Sequence, residues 1–331
     1  MTQSENHPFR TINVWAVLGA IFLCIQIYVY SAWILSPGFH PTDPGGDPIP
    51  EYSRIAMIAF QAISVIIGAV VLVWFIRGVR DSGRIDAIRL MMLGWVSAYW
   101  LDPFLNFLTP MFTYNAYLVN FGSWSEFIPG WQSSQGARVA EPLLVDIPNY
   151  FYNFTFTAFV GYRAMQQVKV RWPSSGRITL ALAALIGVWM AMTILDVVAT
   201  RFMYFDAWPG SVQSMSLWGG QFYQFPGYEL LIFPLVFVAC AFLLNSRDSH
   251  GYTAIERGLD PLQRNRGWAT SLRVLAFVGF CNVLNLAYTS TSGILALSAD
   301  PWPRNMPSWL ANEQCGERTG LSCQTKLSDH K

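Results

Sequence analysis

Apolar residues in this sequence are gathered into long blocks, and the blocks are separated by polar, basic or aromatic connections. Charge-poor windows of about twenty residues run over approximately 13–35, 54–76, 87–108, 143–165, 178–200, 227–245 and 274–297. A hydrocarbon core of about 30 Å needs roughly 20 helical residues, so each window predicts a membrane-spanning helix. Barrel strands would be about half as long and would alternate apolar with polar residues. The expected fold is therefore all-α: a polytopic bundle of about seven transmembrane helices in one domain over residues 1–300, followed by a polar C-terminal tail over 301–331. The sixth window is the shortest and contains Pro234. The apolar core of the first is too long for a signal peptide, and no small-x-small cleavage pattern follows it.

Composition agrees with this pattern. Of 331 residues, 53% are hydrophobic and 12% charged, and the mean hydropathy is +0.32. With the N-terminus inside, fourteen of the 21 lysines and arginines fall in inner segments, and four of the other seven lie in the tail. This bias predicts an N-inside, C-outside protein of the cell membrane. Cys24, Cys240 and Cys281 fall in spans as small apolar residues. Cys315 and Cys323 share the outer tail, where an oxidising compartment permits a local disulfide.

Threading the spans alternately up and down brings carboxylates to one depth. Asp102, Asp146, Asp196 and Glu229 lie at the outer ends of four different windows, with Glu141 just above the fourth. Residues at i, i+3, i+4, i+7 and i+11 share a helix face. One face reads Trp95, Tyr99, Asp102, Asn106; another Trp189, Thr193, Asp196, Thr200; a third carries Asp146, Asn149, Tyr150, Asn153 and Thr157; and the last span shows Asn282, Asn285 and Thr289. Unpaired polar groups cost several kcal/mol in hydrocarbon, so these stripes should face a shared interior. The outer loops are rich in proline, glycine and aromatic residues, including Tyr114, Asn115, Trp124 and Trp131. They can form an interfacial belt or lid a cavity for an apolar ligand.

Structural roles compete with chemical ones at each position. Asp102 could cap a kink at Pro103, Asp196 could pair with Arg201, and Asp146 and Glu229 could be first-turn acids favoured by the helix dipole. Asn282 and Asn285 could be interhelical glue. The chemical alternative is acid–base catalysis, because burial and a neighbouring carboxylate favour the protonated acid. Indole and phenol rings would also stabilise a cationic intermediate. The candidate catalytic set is Asp102 as acid, Asp196 or Asp146 as base, with Glu229 and Glu141. Trp95, Tyr99, Asn106, Tyr114, Asn115, Trp124, Trp131, Asn153, Trp189 and His40 are candidate substrate contacts, His40 with a possible relay role.

Other chemistries are disfavoured. The four histidines, His7, His40, His250 and His330, have no His or Cys at ligand spacing, so no metal site is expected. No nucleotide-binding glycine motif is present, and neither a cofactor nor a nucleic acid is implied. The lysines are Lys169, Lys326 and Lys331, all outside the spans, which removes a retinal Schiff base.

The ordered segments "SAWILSPGFHPTDPGGDPIPEY", "YWLDPFLNF", "YNAYLVNFGSWSEFIPGW" and "AEPLL" resemble the AveC-type spirocyclase family of actinobacterial membrane proteins, over most of residues 12 to 300. The resemblance implies cofactor-free, acid/base-assisted closure of a hydroxylated ketone to a spiroketal, in some members with dehydration, and carries no catalytic assignment. The partners so implied are a lipophilic small molecule and the bilayer. Two alternatives stay open: a terpenoid cyclase protonating an epoxide or alkene, and a lipid-binding, sensing or transport protein without chemistry.

Overall fold

The computed structural model describes residues 10–133, 136–259 and 266–315. The chain is mostly helical. Helix α1 spans Thr11–Ile34, α2 Glu51–Ser82, α3 Ala87–Ala98, α4 residues 143–171, α5 Arg177–Met203, α6 Glu229–Asn245, α7 Arg266–Ala296 and the short α8 Ser308–Ala311. Among the described residues, α1, α2, α5 and α7 are long and apolar enough to cross a membrane, while α6 is apolar but shorter.

The third and fourth windows are helical but broken, and proline explains both breaks. Pro103 has no N–H and crowds the carbonyl four residues back, so α3 ends at Ala98 and the chain tightens into a 3-10 turn over Tyr99–Asn106. In α4, Pro148 is followed by a π-helical segment at Asn149–Asn153 before α-geometry resumes at Phe154. Helix α5 contains two further π segments, Trp189–Thr193 and Ala199–Met203.

Small residues set the closest helix contacts, because a glycine lets two backbones approach. A Cβ on Gly279 of α7 would sit 2.2 Å from the Trp15 carbonyl oxygen of α1, and one on Gly94 of α3 would sit 2.6 Å from the Phe277 carbonyl oxygen. Helix α2 stands at the edge. It buries Ser53, Met57, Gln61 and Ser64, all in its first half. The Ser53 hydroxyl donates to the Met203 carbonyl at 2.5 Å, and the Val119 N–H donates to Gln61 Oε1 at 2.8 Å.

Two short antiparallel strand pairs organise the loop end. Strand β1, Thr113–Tyr114, pairs antiparallel with β2, Asp206–Ala207, placing Tyr114 opposite Asp206. Strands β3, Ser216–Leu217, and β4, Phe225–Pro226, form the second pair. The described part of the tail belongs to this layer. The Asn312 amide donates to the Tyr114 carbonyl at 2.7 Å, and Trp309 and Leu310 pack with buried Ala207. Cys323 lies outside the described residues, and with it the pairing considered for Cys315.

Candidate functional site

Asp102 sits on the 3-10 turn with both carboxylate oxygens engaged. The Tyr114 hydroxyl donates to Oδ2 at 2.7 Å and the Tyr150 hydroxyl to Oδ1 at 2.7 Å. Each donor is positioned in turn. Asn106 accepts the N–H groups of Met111 and Phe112 and donates to the Phe112 carbonyl, fixing the turn that leads to Tyr114. The Asn285 amide donates to the Ala98 carbonyl at 3.0 Å and reaches the Tyr150 oxygen at 3.4 Å.

The remaining contacts locate protons. The Glu141 carboxyl is hydrogen-bonded to that of Asp102, yet its Oε2 receives no N–H or O–H. Two carboxyl groups can bond only through a proton, and Asp102 already accepts from two tyrosines, so Glu141 is the donor. Burial, then the charge of Asp102, holds the Glu141 pKa well above its ordinary range. Asp146 reaches the same Tyr114 hydroxyl, whose own pKa burial also raises.

Asp206, absent from the sequence-based candidates, continues the network. The Thr200 hydroxyl lies 3.1 Å from the Asp196 carbonyl and 2.5 Å from Asp206 Oδ1. The hydroxyl donates to Asp206, which offsets part of the cost of burying that carboxylate. Burial, reinforced by the charge of Asp196, raises the Asp206 pKa. Glu229 accepts from the Ser292 hydroxyl at 2.6 Å. Among the described residues no ion pair involves Asp102, Glu141, Asp146, Asp196, Asp206 or Glu229. Arg201 does not pair with Asp196; its guanidinium lies 4.0 Å above the Tyr223 ring.

Asp196 also lines a cleft of about 750 Å³ between α2, α4 and α5. Its polar lining includes Ser64, Asn149, Tyr152 and Asn153, and most of the rest is apolar. All three π segments contribute lining residues; such bulges recur at functional sites because the extra residue re-aims side chains.

The structure thus gathers Asp102, Glu141 and Asp146 with Tyr114, places Asp196 at the cleft, and leaves Glu229 on Ser292 nearby. Trp95 and Tyr99 are buried, Tyr99 packing on Tyr150 and Trp124. The Trp124 indole donates to the Trp100 carbonyl at 2.8 Å. Asn115 donates to the Tyr204 carbonyl, Trp131 packs on Phe107, and Asn153 lines the cleft while donating to Asn149 Oδ1. Two candidates lie apart. His40 is exposed, with its ring on the Pro41 carbonyl. Trp189 is 41% exposed and donates to the Leu230 carbonyl, because the π segments in α5 shift the stripe that was to unite it with Asp196 and Thr200. Asn282 accepts from the Trp100 indole and ties α7 to Ser97, an interhelical bond. Asp206 had no signal in the sequence, since it lies beyond a helix end in a loop whose fold decides everything.

No curated protein and no solved structure is significantly similar to the chain. The sequence model of the spirocyclase AveC-like family matches residues 82–311, a segment that holds the whole carboxyl network, and the chain belongs to that AveC-like spirocyclase family.

Proposed function

We propose that this protein is a multi-pass cyclase of the cell membrane, with about seven spans, the N-terminus inside, and the carboxyl network toward the outer leaflet. The reaction is cofactor-free ring closure of a lipophilic hydroxylated ketone, with spiroketal formation and loss of water. The observation that carries this reading is a buried carboxyl network without a counter-cation that opens through Asp196 onto an apolar cleft. Family membership supports a cyclase role in secondary metabolism.

The chemistry needs a proton for the departing oxygen and a base for the entering one. Asp196 is the carboxyl in the cleft lining, so it protonates the hemiketal hydroxyl, which leaves as water. The resulting oxocarbenium ion is trapped by the second hydroxyl of the substrate, whose proton returns to Asp196. Aromatic faces in the lining, among them Phe60, Phe156 and Phe205, stabilise the cation by about 0.5–2 kcal/mol each where they meet it. Asp102, with its oxygens taken by two tyrosines, is the anchor of the network, and Glu141, Asp146 and Asp206 surround it. This moves the substrate-facing acid from Asp102 to Asp196 and gives Asp102 a supporting part.

Purified protein in lipid nanodiscs should convert a long-chain dihydroxyketone to its spiroketal. Asp196→Asn should lower turnover by roughly two to four orders of magnitude, the usual size of a general-acid effect. Asp102→Asn should lower it by less. An Asp196→Asn protein within about tenfold of wild type defeats the assignment, and a ligand retained unchanged by wild type points to lipid binding without chemistry.

A further inference from the structure

The cleft has a length and a polarity gradient. On α2 its lining runs from Phe60 to Trp74, which at 1.5 Å per residue is about 21 Å along the helix. Its polar groups cluster at the loop-end part. Ser64 hydrogen-bonds with Tyr152 across α2 and α4, and Asn149, Asn153 and Asp196 stand beside them. Beyond this level the lining is apolar apart from Thr155, including Val71, Ile88, Met92 and Phe159.

The far end is stopped by Trp74, whose ring is covered by the Arg89 guanidinium at 4.0 Å. That cation is already committed, to Asp86 in an ion pair and to the Phe75 carbonyl at 3.3 Å, so the floor offers no free charge to an anionic head. The long side of the groove faces the apolar flank of the bundle. Ile63, Phe156 and Leu195 on its lining are 53%, 54% and 64% exposed. Helix α2 leaves the core beyond Ser64, which makes this flank the entrance.

We infer that the groove takes a neutral single-chain amphiphile from within the bilayer, with its oxygenated head at Ser64, Asn149, Asn153 and Asp196 and one unbranched tail lying along α2 down to Trp74. From Ser64 to Trp74 the helix rises about 15 Å, room for a tail of roughly ten to twelve carbons. A charged head is excluded on two grounds. An anion would meet Asp196 and the carboxyls behind it, and a cation would enter an apolar flank without water. This rests on the cleft being the substrate site proposed above, but its test does not depend on turnover.

The test uses the full chain in phosphatidylcholine nanodiscs and hydroxyketones bearing one alkyl tail of increasing length, in competition with a fluorescent dodecyl hydroxyketone. Affinity, corrected for partition into empty nanodiscs, should rise with each added methylene while the groove still has room and then level off near ten to twelve carbons. Val71→Trp, one turn above Trp74, should move the plateau to shorter tails without weakening the shortest ligands, and Ile88→Phe serves if that variant does not fold. Asp196→Asn should abolish turnover and leave the plateau in place. Affinity that keeps rising with tail length, a plateau unmoved by both variants, or equal competition by a two-chain phospholipid overturns the inference. A wild-type plateau without ring closure would leave the occupant standing and overturn the cyclase reading instead.

Discussion

The two ends of the bundle treat buried carboxylates in opposite ways. At the basic end, Arg273 Nε donates to Glu256 Oε1 at 2.6 Å, and Glu256 also accepts from the hydroxyl and N–H of Thr253. Asp86 caps α3 through the N–H groups of Ile88 and Arg89 and pairs with the Arg89 side chain. At the loop end, Asp102, Glu141, Asp146 and Asp206 are buried as Glu256 is, whereas Asp86 is partly exposed, yet the loop-end partners are hydroxyls and one another. At the basic end each of these carboxylates has a cation beside it. A set of carboxyls left without cations must keep protons, and a kept proton is available for chemistry.

Removing one partner at each end should have very different consequences. Arg273→Met leaves Glu256 buried and uncompensated and should cost about 3–5 kcal/mol. Glu141→Gln keeps a donor for Asp102 and should change stability by less than about 1 kcal/mol while lowering turnover. Urea titration of the two variants in detergent measures both. Equal losses would mean that the loop-end acids are structural after all.

The two ends also differ in their response to acid. Glu141 and Asp206 have raised pKa values in the folded protein, so between the ordinary value of 4.5 for Glu141 and its folded value the native state holds a proton that the unfolded chain has lost. Stability therefore falls as pH rises through that window and is greatest below it. Apparent Tm should drop from about pH 5 to pH 8, and Glu141→Gln should flatten the slope. A wild-type profile that rises over this range would show these carboxyls ionised in the native state.

The smallest effect concerns the arginine nearest the network. Arg201 lies over Tyr223 and Trp218 and not against Asp196, so Arg201→Gln should cost about 0.5–1 kcal/mol of stability. Turnover should stay within about threefold. A larger loss of turnover would reveal a countercharge for Asp196 that the native arrangement hides.

Much of the fold was legible because apolar length is a one-dimensional property. The windows at 13–35, 54–76, 178–200 and 274–297 each match a long apolar helix to within a residue at the ends they overrun, and the expectation that Asp102, Glu141 and Asp146 share one level was built on those windows. Breaks were less legible. The stripe Trp95, Tyr99, Asp102, Asn106 stays buried although α3 ends at Ala98, whereas the stripe of α5 fails because π segments insert extra residues that no propensity announces.

What the sequence determined by itself was which segments are apolar enough to be helices in a bilayer, the basic end, and the family. Tertiary structure decided which carboxyl meets the cleft, which tyrosines hold Asp102, and that Asp206 joins them. Hydropathy is summed along the chain, but a proton's position depends on donors and acceptors from the Tyr99–Asn106 turn, α4, α7 and the β1–β2 pair converging within about 3 Å. Only the folded chain brings those atoms together.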